Sequence, residues 1–183
     1  CSVLYDLLPE LFPSGELIKT NRDFYSFIGS NNDTSCNLIV ITDVFDLDRS
    51  AGNRLVDWIS LGNNVFISAG SFSESFCEAG GFKESVPAYG MYLNSKPDTS
   101  SGILYYYTDE PEPYYIPGPW TTAALSADSA IMCDTLMMAQ DNFSTPGPVF
   151  LQLRIGGGSL YVHGAPHLFS NYVMHNNTAL NLA

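Results

Sequence analysis

The sequence has few positively charged residues. It contains 7 Lys and Arg against 19 Asp and Glu in 183 residues, for a net charge of −12. Because the attraction of proteins to nucleic acids and to anionic membrane surfaces comes from clustered Lys and Arg, this balance excludes nucleic acid as a partner and disfavours docking on a membrane. No apolar stretch approaches the roughly 20 residues that span a bilayer, so we expect no direct membrane insertion by this segment.

Metal and redox motifs are missing as well. The cysteines Cys1, Cys36, Cys77 and Cys133 are widely and irregularly spaced, and no CxxC pair supports a zinc or redox site. Four cysteines could pair in an oxidising compartment, but buried free thiols are favoured in a domain of this size. The acidic loop at residues 43–48 lacks the EF-hand pattern, and a solvated loop explains it better than calcium does. We therefore predict no cofactor and no metal.

Hydrophobic patterning predicts a single α/β domain over residues 1–183. A continuous apolar run over Asn37–Thr42, a helical repeat over Ser50–Leu61 and a second apolar run over Asn64–Ala69 follow one another. Strand, helix and strand at this spacing predict a βαβ unit with parallel strands and a right-handed crossover. The first run is typical of a central strand covered on both faces.

The second half of the chain predicts antiparallel strands. Its Tyr-rich part, often interrupted by Gly and Pro, predicts a β-insertion at about residues 86–120. We predict a strand over Ile131–Ala139. A hairpin is predicted from Pro148 to Val162, with the glycine triplet Gly156–Gly158 as its turn. The last segment, Leu168–Ala183, is predicted to be a helix.

The closing stretch resembles a known family. Residues 156–172 read Gly-Gly-Gly-Ser-Leu-Tyr-Val-His-Gly-Ala-Pro-His-Leu-Phe-Ser-Asn-Tyr: a glycine-spaced turn, an apolar strand, a small-x-Pro step and then Ser-Asn-Tyr. Together with Leu4–Leu7, Asn37–Thr42, Trp58 and Gly62–Ala69, this pattern is similar to an uncharacterised bacterial domain-of-unknown-function family that is related in fold to class I glutamine amidotransferases.

The resemblance implies a fold, a location and a partner. The implied fold is a three-layer, mainly parallel sheet of the flavodoxin or glutamine amidotransferase type, which carries the antiparallel β-insertion. Members of the family are often membrane-anchored and encoded near MoxR-type AAA ATPases. The resemblance therefore implies a soluble, periplasmic domain of a membrane-anchored protein, with a protein partner in a membrane-associated complex.

The residues of an amidotransferase active site are not found in the sequence. The turn expected after the second strand, Gly70–Ser73, has no cysteine nucleophile, and Cys77 lies well past it. His163 and His167 lack a Glu two residues later. We therefore predict no amidotransferase activity and assign no catalytic residue.

Candidate binding residues follow from the expected topology. In open α/β sheets ligands bind outside the carboxyl ends of the strands, where Asp43, Ser71, His163, His167 and Asn171 would lie, the last as a turn-stabilising side chain. The first functional interpretation is a non-catalytic binding or scaffolding domain. One alternative is a hydrolase of unknown substrate that uses His163 with Ser71 or a metal. Another is a carbohydrate-binding module that uses the Tyr-rich insertion. The distance between Ser71 and His163 would separate the first two.

Overall fold

The structure is a computed structural model that describes residues 2–20, 26–28, 36–89, 102–110, 112–118, 120–141 and 145–175. Within these ranges the α-helices are Ser2–Leu11 (α1), Arg49–Ser60 (α2), Glu74–Gly80 (α3) and Asn171–His175 (α4), and a 3-10 turn covers Pro166–Phe169. The strands are Asn37–Phe45 (β1), Asn64–Phe72 (β2), Phe82–Tyr89 (β3), Gly102–Tyr107 (β4), Tyr114–Pro117 (β5), Thr122–Ala127 (β6), Cys133–Gln140 (β7), Gly147–Ile155 (β8) and Gly158–His163 (β9).

The described strands form one large mixed sheet and one small sheet. The large sheet has seven strands in the order β1-β2-β9-β8-β7-β4-β5, and β3 pairs with β6 in the two-stranded sheet. β1, β2 and β9 run parallel, whereas β9-β8, β8-β7, β7-β4 and β4-β5 are antiparallel pairs. The large sheet curls into a half-barrel.

The prediction of a three-layer, mainly parallel flavodoxin-like or amidotransferase-like sheet is therefore wrong. Parallel neighbours need a crossover of a dozen or more residues, whereas a short turn can join only antiparallel ones. The turn at residues 156–157 joins β8 directly to β9. The hairpins of the second half thus extend the sheet with antiparallel strands after only three parallel ones.

The βαβ unit of the first half is confirmed, but β1 lies at the edge of the sheet. β1 and β2 pair in parallel from Asn37 opposite Asn64, and α2 connects them. Residues 38–42 of β1 are half-buried, not fully buried as in a central strand. A continuous apolar run shows that both faces of a strand contact protein, but it does not show how many strands pair with it.

Helix α2 is positioned by a cap and by its buried face. The Asp48 side chain precedes the helix and accepts a hydrogen bond from the Ala51 N–H at 2.9 Å, which satisfies one of the helix's unpaired donors. Leu55, Trp58 and Ile59 are buried in the main core cluster. Their spacing of three and four residues is the helical pattern visible in the sequence.

The glycine triplet is a close-packed turn. Gly156 has φ +59°, a left-handed conformation that favours glycine. A Cβ at Gly158 would lie 2.1 Å from the carbonyl oxygen of Asn63 and 2.3 Å from that of Ile59. Asn63 is itself buried, donates to the Trp58 carbonyl at 2.8 Å and accepts from the Cys36 N–H at 3.0 Å. The hairpin turn therefore packs against backbone at the end of α2.

The strands predicted for the second half are confirmed, whereas the continuous helix predicted over Leu168–Ala183 is interrupted at Ser170, which is extended. The Tyr-rich region contains the antiparallel pair β4-β5, the strand predicted over Ile131–Ala139 is β7, and the predicted hairpin is β8-β9. The predicted terminal helix appears as the 3-10 turn followed by α4, and its remainder, residues 176–183, lies outside the described residues. Part of the predicted insertion, residues 90–101, also lies outside them.

Candidate binding site

Strands β2 and β9 bring a serine and a histidine together in the interior. Ser68 lies opposite His163 in the parallel ladder, and the Ser68 Oγ is 2.8 Å from the His163 Nδ1. Ser68 is fully buried and His163 is 3% exposed. The rings of Phe66, Phe150 and Phe169 contact the imidazole, with ring centroids 6.0, 5.2 and 5.3 Å away. The pair is thus a polar contact within an aromatic cage.

The cage keeps the imidazole of His163 neutral. Burial, together with the nearby His167, lowers the pKa of His163 from 6.5 to about 3, because the apolar surroundings disfavour the charged form. At neutral pH the uncharged ring therefore forms one hydrogen bond with the Ser68 hydroxyl, as donor or as acceptor depending on its tautomer.

A tight backbone junction follows His163. The Gly164 N–H donates to the Val149 carbonyl and the Gly164 carbonyl accepts from the Ala123 N–H, both at 2.8 Å. A Cβ at Gly164 would lie 2.2 Å from the Ala123 carbonyl oxygen. This junction ties the end of β9 to β8 and to β6 and begins the 3-10 turn that carries His167.

His167 is held by a chain of hydroxyl groups. The Tyr105 hydroxyl on β4 lies 2.9 Å from the His167 Nε2 and 2.7 Å from the Thr122 Oγ1 at the start of β6. Tyr105 and Thr122 are fully buried, and burial raises the pKa of Tyr105. Burial also lowers the pKa of the half-buried His167 from 6.5 to about 4. The hydrogen bonds fix the orientation of a neutral imidazole.

One face of the His167 imidazole is covered by an indole. The Trp120 ring stacks on His167 with a centroid distance of 5.0 Å and an angle of 3° between the planes. The Trp120 Nε1 donates to the Pro117 carbonyl at 3.0 Å, which fixes the indole at the end of β5. The Tyr172 ring lies 6.1 Å from Trp120 at 47°, and Tyr172 is 67% exposed. We refer to His167, Trp120 and Tyr172 as the aromatic cluster.

The aromatic cluster is uncharged. No ion pair or hydrogen bond between described residues joins a carboxylate, Lys or Arg to any of its three rings. Among the same residues there is also no group of three or more His, Cys, Asp or Glu side chains that could hold a metal ion. The arrangement is suited to contacts with flat, apolar faces that are edged by hydroxyl groups.

The predicted site residues are only partly brought together. His163 and His167 lie on either side of the junction at Gly164, close enough for His167 to affect the pKa of His163. Ser71 lies within β2, not in a turn after it, and pairs with Val44 of β1. Three positions separate it from Ser68, so the two serines point to opposite faces of the sheet. The hydroxyl that contacts His163 is therefore that of Ser68.

Neither the Asp43 nor the Asn171 side chain is hydrogen-bonded to a histidine among the described contacts. Asp43 lies in β1 and is exposed, and a Cβ at Gly70 would be 3.0 Å from its carbonyl oxygen. Asn171 begins α4, and its Oδ1 accepts a hydrogen bond from the Val3 N–H of α1 at 3.4 Å. Asn171 thus links the two terminal helices instead of contacting the 3-10 turn with its side chain.

Cys77 is buried, and burial raises its thiol pKa to about 11, so this thiol remains protonated at neutral pH.

Sequence patterns missed Ser68, Tyr105, Trp120 and Thr122. These residues come from β2, β4, the segment before β6 and β6 itself, and they meet the histidines only through pairings between distant parts of the chain. No local motif marks them. Tyr172 lies in the closing stretch whose sequence pattern attracted attention, but its exposure was not visible from that pattern.

Together, the fold and the site define a domain built on a curled, mixed, mostly antiparallel sheet with few helices, in which an uncharged aromatic cluster lies beside the buried Ser68–His163 pair. A β-galactosidase from Bacillus circulans sp. alkalophilus is similar in structure, with a TM-score of 0.50 and 9% sequence identity over 71% of this chain and 20% of that one. An exo-β-1,4-mannosidase from Opitutaceae bacterium strain TAV5 has a TM-score of 0.44 and 16% identity over 71% of this chain and 20% of that one.

A cytoplasmic protein from Salmonella typhimurium LT2 is also similar, with a TM-score of 0.44 and 12% identity over 80% of this chain and 65% of that one. The chain thus spans about a fifth of the length of the glycosidases that it matches. No protein family and no curated protein sequence matches the chain.

The resemblance to the amidotransferase-related domain family is wrong. No family matches the chain, the structures similar to it include glycosidases, and the sheet is mixed and mostly antiparallel. The membrane-associated and periplasmic setting rested on that resemblance and loses its basis with it. None of the helices formed by the described residues is both long and apolar enough to cross a membrane.

Proposed function

We propose that this domain binds carbohydrate through the aromatic cluster and does not itself catalyse a reaction. The observation that carries the proposal is the stack of Trp120 on His167, with planes 3° apart, next to the 67% exposed ring of Tyr172. Sugars present an apolar face of C–H groups that packs on aromatic rings, while their hydroxyl groups stay in water. Rings that are held rigidly bind such a face at a small cost in conformational entropy.

The buried hydroxyl chain supports this role because it preorganises the cluster. His167 is fixed on one side by Tyr105, which in turn contacts Thr122, and on the other side it stacks on Trp120. A binding surface that keeps its shape without ligand loses less conformational freedom on binding.

The geometry favours binding over hydrolysis. A serine nucleophile must reach a substrate, whereas Ser68 is fully buried and its partner His163 is enclosed by phenylalanine rings. A base whose pKa is about 3 is poorly matched to proton abstraction at neutral pH. Glycoside hydrolysis generally needs two carboxyl groups flanking the scissile bond, whereas the side-chain hydrogen bonds of His167 and Trp120 are made to the Tyr105 hydroxyl and the Pro117 carbonyl.

The similarity to the β-galactosidase from Bacillus circulans concerns the fold only. This chain corresponds to 20% of that enzyme, which is named for an action on β-galactosides. By analogy we propose that this domain is an accessory part of a carbohydrate-active protein. β-Galactosides are accordingly the first ligands to try.

Tryptophan fluorescence provides a direct binding assay. The chain contains two Trp residues; Trp58 is 4% exposed in the core, so a ligand at the site would change mainly the emission of Trp120. We expect β-linked galacto- and manno-oligosaccharides to change this emission in a saturable way. Calorimetric titration should then show that Trp120→Ala weakens binding about tenfold or more, which corresponds to one lost aromatic contact.

A matched control separates the aromatic cluster from the Tyr-rich insertion. Tyr115 is 41% exposed on β5, and its ring lies over Gly102 of β4, where a Cβ would come within 2.6 Å of it. We expect Tyr115→Ala to leave affinity unchanged. If Tyr115→Ala weakens binding as much as Trp120→Ala does, the insertion surface is the binding site and the cluster is not. The absence of saturable binding to any neutral glycan would overturn the proposed function.

A further inference from the structure

We propose that the ligand is a neutral oligosaccharide in which one sugar ring stacks on Trp120 and the adjoining ring stacks on Tyr172. This inference rests on the proposed carbohydrate binding and specifies the class of carbohydrate. It concerns the number of sugar rings that are recognised and the charge of the oligosaccharide.

The angle between the two rings means that a single sugar can cover only one of them. The planes of Trp120 and Tyr172 are inclined by 47°, with centroids 6.1 Å apart. A single rigid pyranose has flat faces and can stack on one of these planes but not on both. Two linked sugars can rotate about the glycosidic bond between them, so that each follows the plane of its own aromatic ring.

The two positions differ in rigidity. Trp120 is backed by His167 at 5.0 Å and its Nε1 donates to the Pro117 carbonyl, so its orientation is fixed before binding. Tyr172 lies in the first turn of the short helix α4 and is 67% exposed. Ordering an exposed side chain costs entropy. We therefore assign the stronger position to Trp120 and the weaker, chain-extending position to Tyr172.

The charge of the protein selects against anionic sugars. The net charge is −12, which repels uronic acids and sulfated chains at long range. Four of the described Lys and Arg side chains have partners elsewhere: Arg49 pairs with Glu78, Lys83 with Asp128, Arg154 with Asp134, and Lys19 lies over the Tyr5 ring. None of these four contacts involves a residue of the aromatic cluster, so none of these cations is placed there to pair with a sugar carboxylate or sulfate.

The test compares one sugar series of increasing length. Calorimetric titration would use galactose and β-linked galactobiose, galactotriose and galactotetraose, with the manno-series in parallel and oligogalacturonate of matched length as the charged probe. We expect a gain in affinity of about tenfold from one sugar to two, as one further aromatic contact forms, and little gain beyond two. Oligogalacturonate should bind at least tenfold more weakly than the neutral chain of equal length.

Two variants test whether the second sugar stacks on the ring of Tyr172. Tyr172→Ala should abolish the gain from one sugar to two, so that the disaccharide binds this variant no more tightly than the single sugar does. Tyr172→Phe should keep the gain, because the ring and not the hydroxyl group forms the contact. Circular dichroism and thermal unfolding would verify that both variants fold.

The outcomes distinguish this inference from the proposed function. If galactose or mannose binds as tightly as its oligomers and Trp120→Ala still abolishes binding, the domain binds carbohydrate but the two-ring inference is wrong. Equal binding of oligogalacturonate and neutral chains overturns the inference about charge. If none of these sugars binds, the proposed function fails and the inference fails with it.

Discussion

The buried histidine of the site makes the stability of the fold depend on pH. His163 has an ordinary pKa of 6.5 in the unfolded chain and one of about 3 in the folded protein. The unfolded state therefore binds a proton that the folded state does not accept. The stabilisation is fully present above pH 6.5 and is lost as the pH falls from there towards 3.

The magnitude follows from the width of this window. At pH 4.5, two units below the unfolded pKa, His163 alone lowers the free energy of unfolding by about 3 kcal/mol relative to pH 7.5. His167, with a folded pKa of about 4, acts in the same direction, but its half-buried position reduces the effect through contact with solvent. A loss of this size is a large fraction of the stability of an ordinary domain.

The assay is urea unfolding at pH 7.5 and 4.5 for the wild type and for His163→Gln. Glutamine does not titrate and can still hydrogen-bond to Ser68. We expect the variant to be less stable at pH 7.5, yet to lose about 3 kcal/mol less than the wild type on acidification. His167→Gln is the comparison, with a smaller reduction in pH dependence. Equal losses for the wild type and His163→Gln would refute the account of a neutral, caged imidazole.

Three further predictions concern close contacts of the fold, each measured as the free energy of unfolding in urea. Gly158→Ala should cost about 3 kcal/mol because its Cβ would lie 2.1 Å from a carbonyl oxygen, whereas Gly157→Ala, whose Cβ would keep 3.4 Å, should change stability by less than about 0.5 kcal/mol. Asn63→Ala should cost about 2 to 3 kcal/mol, since it removes the hydrogen bonds of the buried Asn63 amide to the Trp58 carbonyl and the Cys36 N–H, and the exposed Asn64→Ala far less. Asp48→Ala should cost about 1 kcal/mol through loss of the α2 cap. The Gly158 contact would be contradicted if Gly158→Ala and Gly157→Ala had similar free energies of unfolding. The Asn63 contacts would be contradicted if the two Asn variants were equally stable. The cap would be contradicted if Asp48→Ala were as stable as the wild type.

The candidate site shows the limit of sequence reasoning. His163 and His167 stood out because they flank a Pro-containing turn after an apolar strand, and the structure does place them beside each other. Their partners could not be found in this way. A turn expected after β2 points to Ser71, whereas the strand register, which only the structure shows, pairs Ser68 with His163.

By itself the sequence determined the local elements of this protein. Continuous β-branched runs, helical spacing with an Asp cap, and glycines at a turn specify β1, α2, β2 and the β8-β9 hairpin, because these signals act over a few neighbouring residues. Its charge argues against nucleic acid as a partner, because the cations that phosphate groups require are few.

Only the tertiary structure decided the order and direction of the strands and the composition of the site. An apolar run is compatible with an edge strand and with a central one, so β1 was expected in the centre of a parallel sheet and lies at the edge of a mixed one. Tyr105, Trp120 and Thr122 surround His167 only because β4, β5, β6 and β9 are brought together by packing. The stacked rings that support carbohydrate binding therefore depend on pairings between distant segments, which no short sequence pattern encodes.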